Sequence, residues 1–224
     1  QKLLEAFSKE YDWKKINENS NLIGLKLDGK SISLEPGNQL ELAGDKLNNI
    51  HEVCSESYNF QDQLTKICNK LNLESMSVGY DPITKLNEAP NNPKERYKIM
   101  TEEMPKNGKL SLDMMYHTCG TQINLDYLSE KDFSKKFKLS TYLTPIFIAI
   151  FSNSAIKENL SSGYLSYRAH VWQNTNRGGL PSIFFEEMDF EKYADFSMSM
   201  PMLFIFNQNK HFSIKNKTFK DFMN

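Results

Sequence analysis

The stretch "NLIGLKLDGKSISLEPGNQLEL", residues 21–42, decides the fold. Asp28-Gly29 stands between two apolar-alternating runs and signals a hairpin turn. In the second run Ile32, Leu34, Leu40 and Leu42 occupy one parity, and Ser31, Ser33, Glu35, Gln39 and Glu41 the other. Successive strand side chains point to opposite faces, so one face is core and the other is a polar row. Upstream, Leu3, Leu4, Phe7 and Tyr11 lie at helical spacing, which predicts the order helix, strand, strand. Downstream, Asp45 is placed to cap a long helix that turns Leu47, Ile50, Cys54, Leu64, Ile67 and Leu71 toward a core. "SMSVGY", 75–80, reads as a short strand.

The rest of the chain continues the alternation of helices and strands. "NNPKERYKIMTEEM", 91–104, predicts a short helix with Pro93 near its first turn. "LSLDMMYHTCGTQINLDY", 110–127, reads as a strand or strand pair, and a helix follows at 129–154, opened by Ser129 with Asp132 three residues on. "GYLSYRAHVW", 163–172, reads as a strand. Past the glycine pair 178–179 come a helix near 189–198, a strand "MLFIF", a turn "NQNK", a strand "HFSI" and a last helix from Thr218. There is no repeat and no linker. Strands returning through hairpins with helices between them predict an α+β fold, an antiparallel sheet with helices on one face.

Bulk properties narrow the function. The 27 basic and 28 acidic residues are mixed along the chain, which gives no electrostatic case for nucleic acid or a membrane surface. The expected partner is a small molecule. The longest apolar run, "YLTPIFIAIF" at 142–151, is about half of the ~20 residues a membrane span requires, and is expected to be a buried core helix. Cys54, Cys68 and Cys119 are too few and too scattered for a disulfide framework or a zinc site. They point to a reducing cytoplasm. The chain opens on Gln1 rather than methionine, so the lack of a targeting signal excludes nothing.

Three polar rows are candidates for chemistry. Glu35 and Glu41 would lie about 20 Å apart on a straight strand at ~3.3 Å per residue, whereas the ions of a two-metal cluster lie about 4 Å apart. Both acids can serve one cluster only if the chain bends at Pro36-Gly37; otherwise they are a solvated strand face. In "TQINLD", 121–126, the oxygens of Gln122, Asn124 and Asp126 share a face and suit a hard cation, or simply face solvent. Ser166, Arg168 and His170 form the third row. An arginine between aromatics can take a carboxylate in a bidentate fork or close a structural ion pair. His51, His117 and His211 show no ligand spacing.

Together "SISLEPGNQLELAG", "KERYKIM", "LDMMYHTCGTQINLDY", "GYLSYRAHVW" and "MPMLFIFNQNKHF" resemble, in order and spacing, the glutamate-cysteine ligases of the plant and alphaproteobacterial type. The resemblance implies a glutamine-synthetase-like catalytic fold and the first step of glutathione synthesis. There, ATP, L-glutamate and L-cysteine give γ-glutamylcysteine by way of an acyl phosphate, with Mg²⁺ bridging the phosphates. It places Glu35, Glu41 and Gln122 at magnesium-holding positions. Arg96, Tyr97 and Arg168 fall at substrate positions, with Arg168 in the catalytic role and Leu203 lining the pocket for the incoming amine. It also implies that residues 1–224 are a single catalytic-domain fragment, inactive alone, lacking an acidic N-terminal strand and a C-terminal segment that touches nucleotide. His117 stands where the family usually has arginine, and Leu203 where it has tyrosine. The alternatives are a γ-glutamyl ligase for another amine and an inactive binding protein of the same descent.

Overall fold

A computed structural model describes residues 1–175, 178–208, 210–214 and 217–223. The chain divides into two compact units, one formed by Gln1–Ser77 with Ala89–Lys94 and the other by Val78–Glu88 with Glu95–Asn224. Helices and antiparallel strands make up both, so the protein is α+β.

In the first unit, helix α1 (Lys2–Glu10) precedes four antiparallel strands in the order β1-β2-β3-β4. These are β1 (Lys14–Glu18), β2 (Asn21–Leu27), β3 (Lys30–Leu34) and β4 (Leu40–Ala43). The Asp28-Gly29 turn forms as expected, with Leu27 paired to Lys30 and Asp28 at a φ of 52°. Strand β1 is an addition to the sequence reading; four of its five residues are exposed, so it carries no apolar alternation to betray it. Leu4 and Phe7 of α1 meet Leu22, Leu25, Ile32 and Leu34 of the sheet and Leu64, Ile67 and Cys68 of helix α2 (Ile50–Leu71). Each fully buried apolar side chain in that layer contributes roughly 1.5–3 kcal/mol.

Helix α2 begins later than expected. Its cap is Asn49, whose side chain accepts from the N–H groups of His51 and Glu52, while Asp45 lies outside the helix and donates its own N–H to Glu56. The Asn49 to Glu52 spacing is itself a capping signal. Consequently Leu47 is outside the helix, and Ile50 and Cys54 are exposed rather than turned to a core.

The second unit carries most of the differences. Residues 75–80 form no strand; only Tyr80 bridges to Thr118. Residues 110–127, expected as strands, begin with helix α4 (Ser111–His117), pass through the half-buried Thr118 and Cys119, and then run exposed and irregular to the next helix. "GYLSYRAHVW" is not a strand but contains helix α6 (Tyr167–Gln173), capped by the Ser166 hydroxyl accepting from Ala169 N–H. Its buried residues, Tyr167 and Val171, are four apart, a spacing that fits one strand face and one helix face equally. The helix opened by Ser129 and Asp132 is present as α5 (Glu130–Ile150). It is not buried: Tyr142, Phe147 and Ile150 are 52%, 49% and 66% exposed, and Thr141 is its one buried residue. Its aromatic partners, Phe184, Phe185 and Tyr193, cover one side of a helix that is apolar around more of its circumference.

Helix α3 (Glu95–Glu103), the short hairpin of β5 (Ile156–Lys157) with β6 (Leu160–Ser161), helix α7 (Phe190–Met198), the hairpin of β7 (Phe204–Asn207) with β8 (Lys210–Ser213), and helix α8 (Phe219–Met223) complete this unit. The last four match the expected order, with Asn209 of the predicted turn outside the described residues. No described helix is long and apolar enough to cross a membrane.

Candidate active site

The Pro36-Gly37 break is a hairpin turn. Glu35 N–H donates to Gln39 O at 2.9 Å and Asn38 N–H to Glu35 O at 2.8 Å, and Ser33 pairs with Glu41 across β3 and β4. Cross-strand partners point to the same face, so Ser33, Glu35, Gln39 and Glu41 share the polar face while Ile32, Leu34, Leu40 and Leu42 turn to the core. The acids become diagonal neighbours, which on adjacent strands lie about 7–8 Å apart rather than ~20 Å. The bend that sharing one cluster requires is therefore present. Ser33 Oγ donates to Glu35 Oε1 at 3.1 Å, and the buried Lys94 ammonium lies 3.7 Å from the same oxygen.

Asn92, 4% exposed, fixes this turn. Its N–H donates to Pro36 O at 2.9 Å, its amide nitrogen to Leu34 O at 3.2 Å and to Asn38 Oδ1 at 3.4 Å, and its amide oxygen accepts from Lys94 N–H at 3.1 Å. The side chain thus ties the segment bearing Lys94 to the strand bearing Glu35. Asn92→Ala removes three of these bonds inside a buried site and is expected to cost about 2 kcal/mol in urea unfolding. A loss below ~0.5 kcal/mol would mean that the turn holds itself. Neither Asn92 nor Lys94 stood out in the sequence, since the Asn-Pro-Lys run reads as the opening of the helix predicted over 91–104, whereas the helix begins only at Glu95.

The remaining candidates are in the second unit. Gln122 is exposed and off any strand, but its amide donates to Asn124 Oδ1 at 3.0 Å, so the two still face one another. Asp126 is exposed, and its backbone oxygen accepts from the Lys136 ammonium at 2.6 Å. Arg96, in the first turn of α3, donates to the hydroxyl of the buried Tyr97 at 3.1 Å. No described carboxylate forms an ion pair with Arg96 or Arg168.

Arg168 has the more telling environment. Its side chain lies beside Gly79 and Gly120, and a Cβ on Gly120 would stand 2.6 Å from a guanidinium nitrogen. The guanidinium is 5.6 Å from the Trp172 ring, and its Nε is buried with no hydrogen-bond partner. Burial lowers its pKa, yet a guanidinium remains charged near neutrality. A buried cation with an orphaned donor is costly unless an anion completes it. This geometry favours the carboxylate-fork reading over a structural ion pair.

Leu203 lines a cavity of about 630 Å³ whose walls include Met198, Met200, Phe204 and Phe219, with Tyr193 and Ser197 the only polar side chains among the described residues that line it. The cysteines are free, with Cys54 exposed and Cys68 buried. Burial pushes the Cys68 and Cys119 thiols up, so neither is a ready nucleophile.

Residues 6–223 match the family model for glutamate-cysteine ligase family 2. The chain is 42% identical over 224 residues to glutamate-cysteine ligase A, chloroplastic, of Oryza sativa subsp. japonica, covering 99% of this chain and 46% of that protein. It is 41% identical over 225 residues to the chloroplastic ligase of Nicotiana tabacum and 38% over 224 to that of Arabidopsis thaliana, covering 99% of this chain and 43% of each relative. It thus spans under half the length of these relatives. Their chloroplastic names overturn the cytoplasmic expectation, because free thiols report a reducing compartment without saying which one. With the match running nearly end to end, the chain belongs to glutamate-cysteine ligase family 2.

Proposed function

We infer that this chain supplies metal- and glutamate-binding residues to an ATP-dependent glutamate-cysteine ligase with a glutamine-synthetase-like catalytic fold. The family match over residues 6–223 carries the reading. The donor set fits it: two carboxylates on one hairpin face and a separate carboxamide are hard oxygen ligands of the kind Mg²⁺ takes. Magnesium, when bound, neutralises charge on the phosphates. Glu35 and Glu41 hold the ion, and Gln122 offers a neutral oxygen to an ion of the same class. Arg168, with its unsatisfied Nε, grips a glutamate carboxylate, and Arg96 is a second cation for the same substrate, set by Tyr97. The γ-carboxylate attacks the terminal phosphorus of ATP, releasing ADP, and the cysteine amine then displaces phosphate to give γ-glutamylcysteine.

The full-length protein is expected to release ADP only when magnesium, glutamate and cysteine are all present, with γ-glutamylcysteine seen by mass spectrometry. Folded protein that makes no γ-glutamyl product would reject the reading.

The apolar cavity around Leu203 favours one variation, a ligase that is lax about its amine. A leucine there cannot donate the hydrogen bond a tyrosine would, and apolar pockets separate similar small side chains by only ~1–3 kcal/mol. In competition assays 2-aminobutyrate is expected to be used nearly as well as cysteine, and Leu203→Tyr to widen the gap. An unchanged, strong cysteine preference in both proteins would remove Leu203 from the amine site.

A further inference from the structure

The Arg168 side chain packs beside Gly79, Gly120 and Trp172 but has little polar restraint. Its Nε has no partner, and no described carboxylate holds the guanidinium. Its polar anchoring comes through the backbone of the first turn of α6. That turn is gripped by one short segment, residues 154–157. The buried Ser154 accepts Tyr167 N–H on its backbone oxygen at 2.9 Å and Arg168 N–H on its hydroxyl at 3.2 Å. Lys157 takes the side chain of Tyr167: its ammonium donates to the Tyr167 hydroxyl at 3.0 Å and lies 3.4 Å from Asp113 Oδ1.

Behind Lys157 is a closed hydrogen-bond network. The Tyr80 hydroxyl lies 2.8 Å from Asp113 Oδ1 and 3.0 Å from His117 Nδ1. Its single proton goes to the carboxylate, the charged and nearer acceptor. His117 Nδ1–H must then donate to the Tyr80 oxygen. Burial keeps His117 below its ordinary pKa and hence neutral, so its Nε2 is a bare acceptor, in keeping with the absence of any partner for that atom. The Tyr80 and Tyr167 rings meet edge to face with centroids 4.9 Å apart. Tyr80, Asp113, His117 and Tyr167 are all buried, and Lys157 is the one partly exposed member. These buried groups, with His117 Nε2 left unpaired, are linked through Lys157, so a displacement at Asp113 is felt at Tyr167.

We propose that Lys157, bridging Asp113 to the Tyr167 hydroxyl, is a positioning residue that sets the Arg168 guanidinium for the substrate carboxylate. It rests on the reading of Arg168 as a glutamate contact. The predicted signature is selective, because the network ends at Arg168 rather than at the reacting atoms.

The test uses the full-length protein and steady-state kinetics with each substrate varied. Tyr167→Phe keeps the ring and removes only the hydroxyl, and Lys157→Met keeps the stem and removes the ammonium. Each is expected to raise the glutamate KM about tenfold, with kcat and the cysteine KM within about threefold of the parent. Lys157→Arg, which retains charge and donors, should restore most of the loss. Arg168→Lys is measured alongside. If it raises the glutamate KM while Tyr167→Phe and Lys157→Met do not, the positioning role is wrong and the reading of Arg168 stands. If Arg168→Lys leaves that KM unchanged, the reading fails and the proposal with it. A rise in every KM together with a lower Tm, unrescued by Lys157→Arg, would mark the network as general scaffold and overturn the proposal.

Discussion

Glu35→Gln in the full-length protein is expected to lower the proposed ligase turnover roughly 100-fold or more, the scale of losing one preorganised electrostatic group at a transferring phosphoryl centre. The substitution keeps the volume of the side chain and one oxygen that can accept from Ser33. It removes the charge. That charge sits at the mouth of the β3–β4 hairpin, diagonal to Glu41 and 3.7 Å from the Lys94 ammonium. In the proposed site it holds a cation against the ATP phosphates, so its loss acts on the transition state rather than on folding. Two readouts separate the possibilities. Raising the magnesium concentration should recover part of the rate, because a weakened site fills by mass action, and the circular dichroism should match the parent, because the substitution keeps the volume of the side chain. Glu41→Gln should act in the same direction. A Glu35→Gln protein that turns over at a near-normal rate at ordinary magnesium would return the acids to a solvated strand face.

What the sequence disclosed and what it withheld follow from the range of the interactions. The β2–β3 hairpin was legible because its turn signal, its alternation and its partner strand all lie within a few residues. The bend at Pro36-Gly37 was legible as a break, but its folded-back form is tied to Asn92, more than fifty residues away and out of reach of a local reading. Residues 111–117 and 167–173 were misread because short apolar runs satisfy both periods, and the choice was made by contacts such as the burial of Val171 and Tyr167 against Tyr80. Even so the row logic survived the error in part: Gln122 and Asn124 touch without a strand beneath them. Arg168 lies on a helix instead of a strand. Helix α5 failed differently, since apolar character predicts that a face wants cover, not that the described residues provide it. The resemblance to the ligase family needed none of this to be right, because it rests on ordered residue identities.

Arg168→Lys should weaken the use of glutamate by about 2 kcal/mol or more, roughly a thirtyfold rise in KM, as for truncating one side of a desolvated charge pair. The argument starts from what lysine lacks. A guanidinium is planar and offers parallel N–H donors that match the two oxygens of a carboxylate, whereas an ammonium is a compact point charge at the end of a flexible stem. Lysine also cannot reproduce the guanidinium's contact with the Trp172 ring, 5.6 Å from its central carbon, or reach as far past Gly120. Charge alone is conserved by the change, so any loss reports geometry. The loss should be confined to glutamate: Arg168 is assigned to its carboxylate, and cysteine enters at the later step, so the cysteine KM is expected to move much less. Rates with each substrate varied in turn, on protein whose circular dichroism matches the parent, decide the matter. Equal losses for glutamate and cysteine would assign Arg168 to the scaffold of α6, and its buried, unpartnered Nε would then need another explanation.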